Sequence, residues 1–267
     1  MVKGHISVKC KVCSNFSHNF SSAIVLNKYS VEYFRCENCG FVQTEEPYWL
    51  NESYSQAISR IDVGLVGRNI RLAKTTKAII NAFFNSNGMF IDYGGGIGLC
   101  VRLLRDAGFD FFHCDKYSEN ILAQGFEAES YRGRSYELLT AFEVFEHLTN
   151  PLDEIQQMLA FSKSILFTTE LLPVDCPKPE NWWYYGLEHG QHVSFYTLRS
   201  LKLLAEKTGL SLYSDGNSLH LLTPKKISPI LLRLVIKPDI AYFINRIYKR
   251  TSLIPSDYDN NIVVRNK

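Results

Sequence analysis

Two Cys-x2-Cys pairs, Cys10 with Cys13 and Cys36 with Cys39, stand 22 residues apart near the start of the chain and constrain its folding more than any other feature. Each such turn aims two sulfurs at one point, so two turns can close a tetrahedron of thiolates around a structural zinc. The intervening chain must then fold back, and the alternation in "AIVLNKYSVEYFRC" supplies one or two strands for it. Gly40 suits the bend after the second pair. With four protein ligands there is no open position for water, so the metal is expected to fold a zinc-ribbon module over 1–45 and not to catalyse.

The chain starts without the apolar stretch of a secretory signal, and no run approaches the roughly 20 apolar residues that span a bilayer. A cytoplasmic protein is expected, in which seven cysteines serve as metal ligands and buried thiols. Hydrophobic residues make up 46% of the 267, enough for a sizeable core, and a net charge of +2 gives no overall reason for a nucleic-acid partner.

Residues 46–87 read as a connector that ends in a helix. Ile70, Leu72, Ile79, Ile80, Phe83 and Phe84 give it an apolar side, and Asn87-Gly88 stops it. Over 88–226 the pattern alternates. "MFIDYG", "DFFHCD", "YELLTAF" and "SILFTTE" read as strands; "GLCVRLLRDAG", "NPLDEIQQMLAFS" and "TLRSLKLLAEKTG" read as helices. Short apolar strands separated by helices predict a parallel sheet covered on both faces. "LSLYSDGNSLHLLTPK", with its turn at Asp215-Gly216-Asn217, predicts a closing antiparallel hairpin.

The first of these strands runs into Gly94, Gly95, Gly96 and Gly98. Bare backbone between a strand and a helix can cradle a ligand, and Asp115, 17 residues beyond Gly98, stands where a ribose-binding acid belongs. A dinucleotide fingerprint would read G-x-G-x-x-G. This one reads D-x-G-x-G-x-G, with Asp92 where a pyrophosphate would be repelled; Gly95 has no part in the spacing. A carboxylate there suits a cofactor with an ammonium group, such as S-adenosylmethionine. A nicotinamide-dependent oxidoreductase fits less well, and a non-catalytic zinc-ribbon/Rossmann-like binding module is the other alternative.

From "NGMFIDYGGGIG" through "HCDKY", "YELLTAFEVFEHLTNP" and "EHGQHVSFYTLRSLKLLAEKTGL" to "SLHLLTPKK", the chain resembles the class I S-adenosylmethionine-dependent methyltransferases. The resemblance implies a Rossmann-like α/β fold: a seven-stranded, mostly parallel sheet with a terminal antiparallel hairpin, here beside a small zinc ribbon. It implies that Gly94, Gly96 and Gly98 admit the methionine moiety and that Asp92 holds its ammonium. Asp115 would take the ribose hydroxyls, with Ala141 and Phe142 against the cofactor. The family's third strand, ending in an adenine-reading acid, has only "KYSENILAQGFEAESYRGRS" to form from. The adenine contact is therefore unassigned, with Tyr117 and Glu127 as candidates.

Open α/β sheets bind ligands at the carboxyl ends of their strands, which directs attention to the segments after the fourth and fifth. Glu143, Glu146 and His147 share one face if helical and could hold a divalent ion or supply a base; E-x-x-E-H resembles the metal-carrying segment of quinone-type O-methyltransferases. Alternatively His147 orients the turn before Pro151. Trp182, Trp183, Tyr184 and Tyr185 cannot all face one core, so some should touch a substrate or pack on the zinc module. Glu188, His189 and His192 follow. "GQHVSFYT" resembles the H-E-H-x-S-Y-F segment of zinc-ribbon sugar C-methyltransferases, although Gly190 and Gln191 replace its first histidine and glutamate. The expected function is methyl transfer to a small molecule, a sugar or glycan precursor, with His192 and then His189 as the base for a hydroxyl or amine. The tail, 227–267, reads as two amphipathic helices divided at Pro238, packed on their own domain or in peripheral contact with a membrane.

Overall fold

A computed structural model describes residues 7–55, 62–128, 133 and 135–265, without the side chains of 262–265. In chain order the strands are β1 (Ser7–Lys9), β2 (Phe16–Val25), β3 (Tyr29–Cys36), β4 (Val42–Thr44), β5 (Met89–Tyr93), β6 (Asp110–Cys114), β7 (Leu138–Ala141), β8 (Ile165–Thr168), β9 (Ser194–Phe195), β10 (Ser211–Ser214) and β11 (Leu219–Thr223). The helices are α1 (Leu50–Ser53), α2 (Leu65–Phe83), α3 (Leu99–Asp106), α4 (Pro151–Phe161), α5 (Leu198–Thr208), α6 (Pro229–Val235), α7 (Pro238–Ile247) and α8 (Ile254–Arg265). They fall into two compact units, one of 1–59, 142–157 and 167–224, the other of 60–141, 158–166 and 225–267.

The cysteine-bearing strands build an antiparallel sheet in the first unit, ordered β1-β2-β3-β4-β9. Its outermost pairing joins Val42 to Phe195 and Gln43 to Ser194, so a strand from late in the chain completes it. Alternation along β2 and β3 buries Ala23, Val25, Val31 and Tyr33 together with Trp49, Leu172, Tyr184, Tyr185 and Phe195. The Tyr33 and Tyr185 rings meet edge to face at 5.3 Å, a geometry that adds to their burial. Three of the four consecutive aromatics, Trp182, Tyr184 and Tyr185, thus pack against the cysteine module.

The second sheet is ordered β10-β11-β8-β7-β5-β6. β5 pairs in parallel with β6 and with β7, and β10 pairs antiparallel with β11 from Ser214↔His220 to Ser211↔Thr223. The expected seventh strand is absent among the described residues: the sheet has six. Where it should lie, the chain makes a single bridge between His113 and Glu127. The polar composition of 116–128 buries only Ala123, Phe126, Ala128 and Asn120, too little apolar surface for a strand covered on both faces.

The helices follow their sequence signals. α2 ends at Phe83, where Phe84 turns extended and Gly88 closes back on Asn85. α5 opens on a capping box of Thr197 and Ser200 and stops at Gly209 in the left-handed region. α6 and α7 are divided at Pro238, while α8 is held by buried Asp257, whose oxygens accept from Arg105 Nη2 at 2.7 Å and Nε at 2.9 Å.

Candidate active site

In the second unit, β5 delivers Asp92 beneath the glycine turn. Gly94, Gly96 and Gly98 all take positive φ (69°, 56° and 84°), and a side chain on Gly98 would collide with Asn120. The loop is tied down twice. Gly96 N–H donates to Asp115 Oδ2 at 2.8 Å, and the Gly96 carbonyl accepts from His113 Nε2 at 2.8 Å, which places that ring's proton on Nε2. Asp115 Oδ1 also accepts from the backbone of Tyr117 and Ser118.

Asp92 is buried and accepts from the Thr140 hydroxyl at 2.5 Å. Burial pushes its carboxyl up to about 7; the Thr140 hydrogen bond opposes this and the Asp115 charge adds to it. A cationic group beside it would restore the ionised form. Ala141 is buried at the end of β7 and Phe142 follows, half-buried. Tyr117 is exposed, whereas Glu127 is held by Asn120 Nδ2 at 2.8 Å and by Gly125 N–H. Part of the expected adenine side, 129–132 and 134, lies outside the described residues.

In the first unit, one turn after β7 places Glu146 and His147 with His192; their ligand atoms all lie within 4.8 Å of one another. His192 Nδ1 donates to the Tyr184 carbonyl at 2.6 Å, since a carbonyl can only accept, and its Nε2 therefore carries the lone pair. Burial holds its pKa well below the usual imidazole value, with His147 and His189 adding to the effect. His147 Nδ1 lies 3.0 Å from the Tyr54 hydroxyl, and burial pulls this ring down to about 4. His189 is oriented the other way: its Nδ1 accepts from Gln191 N–H at 3.1 Å, putting the neutral ring's proton on Nε2.

Glu146 is fully buried and neither carboxylate oxygen has a hydrogen-bond partner among the described residues. Burial, then the Glu143 charge, pushes its pKa well above the carboxylate range; the Tyr184 and Thr169 hydroxyls oppose this from nearby without forming full hydrogen bonds. Glu143 does not join this cluster through its ligand atoms. It sits at φ 54°, and Thr168 Oγ1 both accepts from its N–H and donates to its Oε1 at 2.7 Å. Trp183 is 75% exposed, in contrast to Tyr184 and Tyr185, and Glu188 is exposed too.

The cysteine pairs converge in the same unit. Cys10 and Cys39 sulfurs are 3.6 Å apart, those of Cys13 and Cys36 3.4 Å, and all four fall within 4.8 Å. Sulfurs held at about 2.3 Å by one tetrahedral ion stand roughly 3.8 Å apart, so the set fits zinc. The residues after each pair, Ser14 and Gly40, both take positive φ (66° and 71°), giving matching turns. Hydrogen bonding from Cys39 pulls the Cys10 thiol down to about 5, while the same contact and burial raise Cys39.

Tyr54, Thr140 and Thr168 complete these constellations without a motif to announce them. Tyr54 lies 93 residues before His147 in the chain, and spacing carries no trace of that contact.

Residues 68–215 match the family model described as a methyltransferase domain. No curated protein matches the chain. The magnesium protoporphyrin IX methyltransferase of Synechocystis PCC 6803 with bound SAH is similar over 66% of this chain and 95% of that one, at 12% identity and a TM-score of 0.42. For the plantazolicin methyltransferase BpumL, in complex with a monoazolic desmethylPZN analog and SAH, the values are 74%, 87%, 12% and 0.49. An O-methyltransferase family protein from Burkholderia thailandensis gives 69%, 65%, 10% and 0.44. The matched span of the family model exceeds half the chain and contains the glycine turn, Asp115 and the Glu146–His147–His192 cluster: the chain belongs to the methyltransferase domain family and is an S-adenosylmethionine-dependent methyltransferase.

Proposed function

We propose that the protein methylates a hydroxyl or amine of a small molecule, a sugar or glycan precursor, with His192 as general base. One observation carries this reading: the Nδ1–H of His192 is spent on the Tyr184 carbonyl, which leaves the Nε2 lone pair of a neutral imidazole to accept the proton, while burial disfavours the imidazolium and keeps the ring neutral between turnovers. The cofactor, when bound, supplies an electrophilic methyl on a sulfonium. The acceptor's lone pair forms the new bond to the methyl carbon as the carbon–sulfur bond breaks, and the acceptor proton passes to His192 Nε2. His189, with its proton on Nε2, is second choice. Asp92 would pair with the cofactor's ammonium and Asp115 with its ribose, while Gly94, Gly96, Gly98, Ala141 and Phe142 admit it closely. Exposed Trp183 offers an apolar ring face of the kind on which a sugar stacks. Cys10, Cys13, Cys36 and Cys39 would hold a structural zinc.

Screening acceptors with labelled cofactor tests the reading. His192→Ala should cut turnover by about 10²–10⁴-fold with S-adenosylhomocysteine binding retained. Turnover unchanged in that variant would remove the base.

A second reading is favoured by the unpartnered carboxylate of Glu146. Glu146, His147 and His192 could hold a divalent ion, which would favour the ionised Glu146 carboxylate that burial otherwise disfavours and occupy His192 Nε2. Elemental analysis decides: one metal per chain fits the cysteine site alone, while a second, lost in His147→Ala but kept in Cys39→Ser, would assign the ion to this cluster.

A further inference from the structure

Methyl transfer leaves one surface of the second unit without a use. α7 turns Ala241, Ile244 and Asn245 inward, and Asn245 Nδ2 donates to the Lys74 carbonyl of α2 at 2.9 Å. Its outer side presents Ile240, Phe243 and Ile247 at i, i+3 and i+7, with Phe243 61% exposed. α6 does the same: Leu232 and Val235 are buried, whereas Ile230 is 73% exposed and Leu231 and Leu234 are exposed beside it. Soluble surfaces carry such residues singly; two successive helices that both turn apolar stripes outward call for an occupant.

The charge on the same segment indicates which. Between 225 and 250 there are seven basic residues and a single acid, Asp239. Two of the seven serve the fold: Lys225 pairs with Glu137 at 2.6 Å, and Arg250 binds the Gly108 carbonyl, Ser86 and Asn87. The other five, Lys226, Arg233, Lys237, Arg246 and Lys249, are exposed and have no ion-pair partner among the described residues. A second copy of this surface would oppose five cations with five. An anionic lipid surface would instead receive the cations at its headgroups and the apolar stripes at the acyl boundary, with Tyr242 and Tyr248 at the interface. No described helix is long and apolar enough to cross a membrane, which limits the contact to the interface.

We propose that α6 and α7 form a docking surface for an anionic membrane, which holds the enzyme peripherally and reversibly. Cosedimentation of the full chain with phosphatidylcholine vesicles, with and without about one third phosphatidylglycerol, tests it. Binding is expected on the anionic vesicles and should weaken by about tenfold or more on neutral vesicles or in 0.5 M salt. Phe243→Ser with Ile247→Ser, and separately Lys237→Glu with Arg246→Glu, should each reduce it by about tenfold while the melting temperature and S-adenosylhomocysteine binding stay unchanged. Three results would overturn the proposal: no binding to anionic vesicles, binding that neither double variant alters, or a dimer that the Phe243/Ile247 variant converts to monomer, which would give the face to a second copy.

Discussion

The ring of His113 fills the space that a side chain on Gly95 would need: a Cβ there would lie 2.8 Å from His113 Cδ2 and 3.0 Å from Asp92 Oδ2. The middle glycine of the run, which the motif spacing does not require, is demanded by packing. Gly95→Ala must displace the imidazole that donates to the Gly96 carbonyl, and with it the loop that Asp115 steadies. We expect a loss of about 1–3 kcal/mol in stability and weaker S-adenosylhomocysteine binding by calorimetry. Gly67→Ala, at an exposed position of α2 with nothing within 4 Å, is the control and should stabilise by about 0.5–1 kcal/mol. Equal behaviour of the two variants would mean that the His113 contact is unimportant.

Much of this was readable from the chain, and the omissions have physical reasons. Strands β5 to β8 and the hairpin show in the sequence because burial writes itself as apolar runs bounded by Gly and Asp. α8 does not: its segment "IPSDYDNN" is polar, and it is held by Asp257 against Arg105, an ion pair that no periodicity encodes. The seventh strand was an expectation drawn from likeness to a family, against a segment visibly short of apolar residues. At the candidate site, the histidines stand out by composition, but what gives His192 its tautomer is a backbone carbonyl, to which sequence is blind.

Asp92 sets stability against binding. In the unfolded chain its carboxyl ionises near 3.8, whereas in the fold burial keeps it protonated up to about 7. Its contribution to stability is therefore full below pH 3.8 and lost as pH rises to about 7. Asp92→Asn should stabilise the cofactor-free protein by on the order of 2–4 kcal/mol at pH 8, yet bind S-adenosylhomocysteine more weakly if the carboxylate meets the ammonium. Denaturant titration at pH 5 and pH 8 should show a gain at pH 8 more than twice that at pH 5; a gain of equal size at both would refute the assignment.

His220 acts in the opposite direction. It is 1% exposed, its Nε2–H donates to the Thr169 carbonyl at 3.1 Å, and its Nδ1 accepts from the Ser214 hydroxyl at 2.9 Å. Burial pulls its pKa down from 6.5 to about 4, against the Thr169 hydrogen bond and the Asp215 charge. Below pH 6.5 the unfolded chain takes a proton that the fold refuses, so this stability is full above pH 6.5 and falls away toward pH 4, by about 3 kcal/mol in all. His220→Asn should flatten that part of the pH profile of unfolding. A slope between pH 6.5 and 4 identical to the parent would exclude His220 as its source.

The four cysteines make the last prediction, because their module is tied to the rest of the first unit. The Thr197 hydroxyl that caps α5 donates to the Cys39 carbonyl at 2.6 Å, and β9 pairs with β4 just beyond the second cysteine turn. A metal at the sulfurs should thus stabilise more than the strands that carry them. Chelation, or Cys36→Ser with Cys39→Ser, should lower the melting temperature of the unit by the equivalent of several kcal/mol and release one zinc per chain. Because the thiols must be deprotonated to bind, metal loss should accelerate as pH falls. Protein purified without chelator that contains no zinc, and melts at the same temperature with or without added metal, would show that the quartet is a cluster of buried thiols.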